Sequence, residues 1–152
     1  MVDNNYFEFV KEEFKKEGES CIPVRATEGS AGYDFITPVS FTVPANCWSD
    51  MIFTNVKAHI KNGYFLALFI RSSIAMKKHC TLMNQVGIID IDYYSNPSND
   101  GNIGFKLYNT SNQEQSFEAG ERIFQGIFIP YGVTVNDNCT SSRTGGFGST
   151  GE

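Results

Sequence analysis

The residues with the clearest capacity for chemistry are Asp90 and Asp92, two carboxylates set among the β-branched Val86, Ile88, Ile89 and Ile91 in the stretch Asn84 to Tyr93. Such side chains favour a pleated, half-buried strand. Carboxylates are rarely buried in one unless they are paired, hydrogen-bonded or put to use. Gly87 is expected to supply a bend close by, because glycine reaches φ > 0 without steric cost. The plain alternative is a surface hairpin carrying two solvated aspartates.

A second grouping closes the chain. Asn136 to Glu152 contains the run Arg143-Thr144-Gly145-Gly146-Phe147-Gly148-Ser149-Thr150-Gly151. So much glycine means high backbone entropy, and the run reads as a mobile arm. A guanidinium pairs phosphate oxygens bidentately, and glycine-rich backbone can wrap them. Arg143, Ser149 and Thr150 therefore suit a flexible phosphate clamp. Phe147, alone between glycines, suits stacking on a planar partner. A disordered tail is the alternative, but it gives Phe147 no purpose. Asp34, in Tyr33-Asp34-Phe35-Ile36, reads by itself as a strand-end carboxylate capping loop amides.

Positioning these groups falls to β structure. Strands are expected over Val39–Val43, Cys47–Lys57, Gly63–Ile70, Leu82–Val86, Ile103–Tyr108, Arg122–Ile129 and Val133–Val135, punctuated by Pro38, Pro44, Asn62-Gly63, Asn96-Pro97, Asp100-Gly101 and Pro130. Ser72 to His79 is the one internal helical stretch. Tyr6 to Lys16 fits either an edge strand or an amphipathic helix, because its apolar residues match both periods. This spacing points to a sandwich or barrel. Residues 1–135 form one β domain, with 136–152 as a flexible lid.

Composition narrows the classes. The 152 residues are 41% hydrophobic and 14% aromatic, with 13 Phe and 7 Tyr, which suits a single β-rich core. A net charge of −5 without any long Lys/Arg run argues against a nucleic-acid partner. The longest apolar run, Tyr64 to Ile70, is too short for a membrane helix, which needs roughly 20 residues. Cys21, Cys47, Cys80 and Cys139 are widely spaced and read as reduced and structural, which with the lack of a secretion signal places the chain in the cytoplasm. His59 and His79 are isolated, so no zinc site is expected.

Five stretches in order resemble the motifs of the trimeric dUTPase family. They are Ala31-Gly32-Tyr33-Asp34-Phe35, Arg71-Ser72-Ser73-Ile74-Ala75, the Gly87 to Tyr93 core, Glu121-Arg122-Ile123-Phe124-Gln125, and the glycine-rich tail. The resemblance implies a jelly-roll homotrimer with shared active sites that hydrolyses dUTP to dUMP and pyrophosphate with Mg2+. It implies that Asp90 orients and deprotonates the attacking water. Asn84 and the backbone from Gly87 to Ile89 would read the uracil edge, and Tyr93 would stack under the deoxyribose. Arg71, Ser72, Ser73 and Gln125 would hold phosphates, with Asp34 in support and the metal carried mainly by phosphates and water. Arg143 would clamp the γ-phosphate, Phe147 would stack on the uracil, and Gly148, Ser149 and Thr150 would close the lid.

The chain departs from the family pattern in places. Ile70 stands where proline is usual and Ser73 where glycine is usual. Tyr94 to Asp100 intervene before Gly101, lengthening the hairpin loop and bearing on the trimer axis or a partner contact. Arg143 lies one residue nearer the tail phenylalanine than in familiar members. A dCTP deaminase of the same superfamily is the first alternative, opposed by Lys106 where that enzyme places a glutamate. A lysine serves there only with a strongly lowered pKa. A catalytically silent nucleotide-binding or regulatory protein of this fold is the second.

Overall fold

The aromatic and β-branched residues form thirteen short strands and one helix in the computed structural model, which describes residues 3–148. In chain order these are β1 (Tyr6–Phe9), β2 (Val24–Arg25), β3 (Tyr33–Ile36), β4 (Phe41–Val43), β5 (Ile52–Phe53), β6 (Val56–His59), β7 (Tyr64–Ile70), α1 (Ser72–Lys78), β8 (Cys80–Leu82), β9 (Val86–Ile89), β10 (Gly104–Phe105), β11 (Leu107–Asn109), β12 (Gln115–Phe117) and β13 (Arg122–Pro130). The architecture is an all-β, jelly-roll-like fold with one short α-helix of about two turns.

The organising strand is β7, an apolar run, Tyr-Phe-Leu-Ala-Leu-Phe-Ile, whose central residues Leu66 to Leu68 are fully buried. It pairs antiparallel with β13 and with β9 in a five-stranded sheet of order β2-β3-β13-β7-β9. The remaining strands form two-stranded pieces, β1-β6, β10-β5, β11-β8 and β12-β4. Aromatic residues stack across paired strands, Phe35 on Phe124 at 4.7 Å and Phe41 on Phe117 at 4.7 Å, and Phe105 of β10 tilts against Phe124 of the large sheet at 5.2 Å. Each buried ring contributes roughly 2 kcal/mol of transfer free energy.

The local outcome differs from expectation where the backbone must turn left-handed. Cys47–Lys57 divides into β5 and β6 because Asn55 takes φ 62° and the Thr54 hydroxyl donates to the Ile103 carbonyl. Leu82–Val86 is broken by a turn in which Gln85 takes φ 64°. The bend expected at Gly87 therefore falls two residues earlier. Gly87 lies within β9, where a Cβ would sit 3.0 Å from the Leu68 side chain, so its smallness serves close packing. No hairpin forms either, since β8 pairs with β11 and β9 with β7. Ile103–Tyr108 becomes β10 and β11, interrupted at Lys106, and Val39–Val43 begins only at Phe41. Val133–Val135 forms no strand; residues 131–142 are exposed and have no strand partner.

Of the two readings of the N-terminal segment the strand is the one formed, and no amphipathic helix follows it. Tyr6–Phe9 pairs with β6, and Glu12–Phe14 forms a single 3-10 turn. The helix Ser72–Lys78 ends on His79 in the left-handed conformation, φ 51°. Of the four free cysteines only Cys80 is buried, so the structural reading holds for it and fails for the exposed Cys21, Cys47 and Cys139. No helix among the described residues is long and apolar enough to cross a membrane.

The segment after Tyr93 is anchored. Lys57 and Asp100, both almost fully buried, pair at 3.0 Å, and Glu8 lies 3.4 Å from the same ammonium. The Tyr94 hydroxyl bonds to Glu8, and Lys57 lies over the Tyr94 ring. The insertion thus packs against β1 and β6.

Candidate active site

Strand register builds one cluster. Asp34 on β3 stands opposite Gln125 on β13, and β13 in turn carries the end of β7. Asp34 is 9% exposed, and a carboxylate so placed needs partners. It has two: Arg71 Nε at 3.2 Å and Arg122 Nη1 at 3.4 Å. Arg71 caps α1 with extended backbone (φ −72°, ψ 140°), leaving the first N–H groups of the helix, those of Ser72 and Ser73, without intrahelical acceptors. Gly32 lies against Gln125, whose Oε1 would sit 2.2 Å from a Cβ at that position, so a larger residue there would displace the Gln125 amide. The result is a cationic and amide-rich surface suited to anions.

The second cluster is built on β9 and the arm. Asp90 follows β9 and caps a 3-10 turn, Ile91–Tyr93, which brings Asp90, Asp92 and Tyr93 to one place. Arg143 bridges both carboxylates, with Nη2 3.0 Å from Asp90 and Nε 2.9 Å from Asp92. Its guanidinium lies 5.6 Å from the centre of the Tyr93 ring. The aspartates are half exposed, while the Arg143 side chain is only 7% exposed. Neither a solvated surface pair nor a free tail describes this arrangement. Phe147 packs on Tyr93 at 5.0 Å between ring centres. Tyr93 is buried, and desolvation pushes its phenol up to about 12, against smaller opposing effects of Asn99 and Arg143.

Beside Phe147 lies a cavity of about 290 Å³ lined by Met51, Met83, Asn84, Gly104, Phe105, Lys106, Phe147 and Gly148. Phe147 and Asn84 thus share one pocket. Met51, Phe105, Lys106 and, in the first cluster, Arg122 were not singled out as binding residues. For Arg122 the available signal was a second cation beside the Gln125 motif; for Met51 and Phe105 no signal exists in apolar residues that also fit a core. Ser149 and Thr150 lie outside the described residues.

The two clusters stand apart. Ile89 pairs with Leu66, so Asp90 falls beside Phe65, and the two share a surface pocket of about 260 Å³ with Ile88 and Tyr131. Arg71 follows Ile70 at the far end of the same strand. Their separation along β7 is roughly 20 Å at the usual rise per residue.

Comparison with known proteins decides the family. The dUTPase family model matches residues 19–151. The chain belongs to the dUTPase family. It is 44% identical over 134 residues to deoxyuridine 5'-triphosphate nucleotidohydrolase of Lactococcus lactis, covering 86% of this chain and 87% of that one. Its fold matches the crystal structure of dUTPase from Streptococcus mutans with TM-score 0.74 at 38% identity, covering 85% of this chain and 98% of that one. It also shares the fold of the dUTPase of the S. aureus phage phi11, with TM-score 0.69 and 17% identity over 91% of this chain and 97% of that one; that protein coordinates a structural Mg(II) ion.

Proposed function

We propose that this dUTPase-family chain hydrolyses dUTP to dUMP and pyrophosphate at sites completed by more than one copy of itself, in a homotrimer. The observation that carries this reading is the placing of Arg71 and Asp90 at opposite ends of β7. No single triphosphate spans both in one copy, whereas a closed ring sets one copy's Arg71 end against another's Asp90 end.

In this reading Asp90, half exposed and reachable by water, accepts the proton of the water that attacks the α-phosphorus. β9 is the edge strand of its sheet, so its outward N–H and C=O groups are free to read the uracil as another strand would. Asn84 adds its amide, and Tyr93 is the floor under the deoxyribose, where close packing penalises a 2′-hydroxyl. Arg71, Ser72, Ser73 and Gln125 take the phosphates. Asp34 holds Arg71 in place and stands off the substrate. Arg143 leaves the aspartates for the γ-phosphate, Phe147 covers the uracil, and Gly148 with Ser149 and Thr150 closes over the phosphates, ordering the reactants and excluding bulk water.

Mg2+ is the cofactor of this reading, and the donor set fits an ion delivered with the substrate. Asp34 is committed to two guanidiniums, and Asp90 with Asp92 makes only a pair of carboxylates. Magnesium accepts such a site because it keeps several waters and prefers substrate phosphates. When bound it supplies charge neutralisation to the phosphates.

The test is pyrophosphate release with Mg2+ from dUTP, dTTP, dCTP and UTP in parallel. Selective turnover of dUTP is expected. Deamination of dCTP, or binding of dUTP without turnover, would overturn the reading.

A further inference from the structure

We infer that Asn99 is a positioning residue for sugar discrimination: its side-chain amide fixes the hydroxyl of Tyr93, and its flank receives Gly146 of the arm, so one side chain sets both floor and lid. This inference rests on the reading of Tyr93 as the floor of the nucleoside site.

The Tyr93 hydroxyl has one proton and donates it to the Asn102 carbonyl at 2.8 Å. It accepts from Asn99 Nδ2, also at 2.8 Å. Together these bonds leave the ring no freedom to tilt without breaking one. The amide of Asn99 is itself oriented, because its Oδ1 accepts from Asn96 Nδ2 at 2.7 Å and from the Gly101 N–H at 3.0 Å. Two donors at one end oblige the nitrogen to lie at the other, toward the phenol. The base of the loop is held by the buried Lys57–Asp100 pair, and the Lys11 N–H donates to Asp100 as well. The arm meets the same side chain: a Cβ on Gly146 would lie 3.2 Å from both Asn99 Nδ2 and Ser98 Oγ. The residues that lengthen this loop thus tie the aromatic floor to the lid.

Asn99→Asp tests the claim, since it keeps an acceptor oxygen for Asn96 and Gly101 but sets a second acceptor in place of the donor to Tyr93, so the phenol, with one proton, keeps only one of its two fixing bonds. The readout is the ratio of kcat/KM for dUTP to that for UTP. Both substrates carry the same triphosphate, so the charge introduced by aspartate cancels in the ratio. The preference for dUTP is expected to fall about tenfold, the equivalent of one lost hydrogen bond to a buried hydroxyl. In Tyr93→Phe, which removes both bonds, the preference is expected to fall at least as far, and in the double variant no further than in Tyr93→Phe. A wild-type ratio in a folded Asn99→Asp, checked by thermal melting, overturns the inference. If Tyr93→Phe loses preference while Asn99→Asp does not, Asn99 is only structural and the floor stands. An unchanged ratio in Tyr93→Ala instead removes the floor reading, and this inference with it.

Discussion

Asp34, Arg71 and Gln125 stand on neighbouring strands or just beyond a strand end, whereas Asp90, Tyr93, Arg143 and Phe147 stand on a short turn and an arm. In the first region the sheet's own register makes the geometry. Asp34 faces Gln125 because β3 pairs with β13, and Arg71 reaches Asp34 because β13 also pairs with β7. In the second region contacts between side chains make it, chiefly Arg143 across Asp90 and Asp92. The sheet-built half holds its cations in place without the arm. In the proposed function the arm-built half exchanges partners when substrate arrives, because Arg143 cannot hold both carboxylates and the γ-phosphate. Strand register supplies rigidity, and on the proposed function the arm supplies a closing step.

The largest effect expected from breaking this contrast is chemical. Asp90→Asn should lower pyrophosphate release by about 10³-fold, within the range for loss of a general base, while isothermal titration with a non-hydrolysable dUTP analogue finds binding largely intact. Turnover near wild type would take Asp90 out of that role. Next comes removal of residues 136–152. Activity should fall by roughly 10²-fold or more, while the melting temperature stays within about 2 °C, because the arm contributes little to the core. A large drop in melting temperature would mean that the arm belongs to the folded domain.

A smaller effect concerns the loop beneath the nucleoside half. Burial alone would raise the Asp100 carboxyl, but the Lys11 N–H and the Lys57 ammonium outweigh it and hold the group below the usual carboxylate range. A carboxyl lowered on folding adds stability above its ordinary pKa, near 4, and that stability is lost as pH falls through the folded value. Asp100→Ala should therefore cost about 3 kcal/mol in urea unfolding at neutral pH, and less below about pH 4. A cost independent of pH would contradict the assignment to the ion pair. The smallest effect is a gain. Gln85 at φ 64° occupies a conformation that disfavours a side chain, so Gln85→Gly should stabilise by about 1 kcal/mol in the same assay.

The sequence was most informative where chemistry and periodicity coincide. The seven residues of β7, the helix after Arg71 and the clustering of Asp34 with Arg71 and Gln125 follow from motifs carried on regular elements. Gly87 misled because glycine signals either a left-handed turn or a close approach, and Leu68, distant in sequence, selects the second. The turn itself uses Gln85, a residue with no turn signature. Val133 to Val135 shows the converse: β-branched residues make a strand only where an edge awaits them. The pairing of Arg143 with Asp90 and Asp92 was equally hidden, since opposite charges some fifty positions apart carry no spacing signal.

The central claim is that the sheet-built half of one copy works with the Asp90 half of another. Co-expression of Asp90→Asn and Arg71→Ala chains under two affinity tags, followed by tandem purification and pyrophosphate assay with dUTP and Mg2+, tests it most directly. Each homogeneous variant should be nearly inactive, and the mixed assembly should recover about a third of wild-type activity, because one interface of every mixed three-membered ring draws an intact residue from each kind of chain. Mixed assemblies as inactive as their parents would show that both residues of a working site belong to one chain, and would contradict the account.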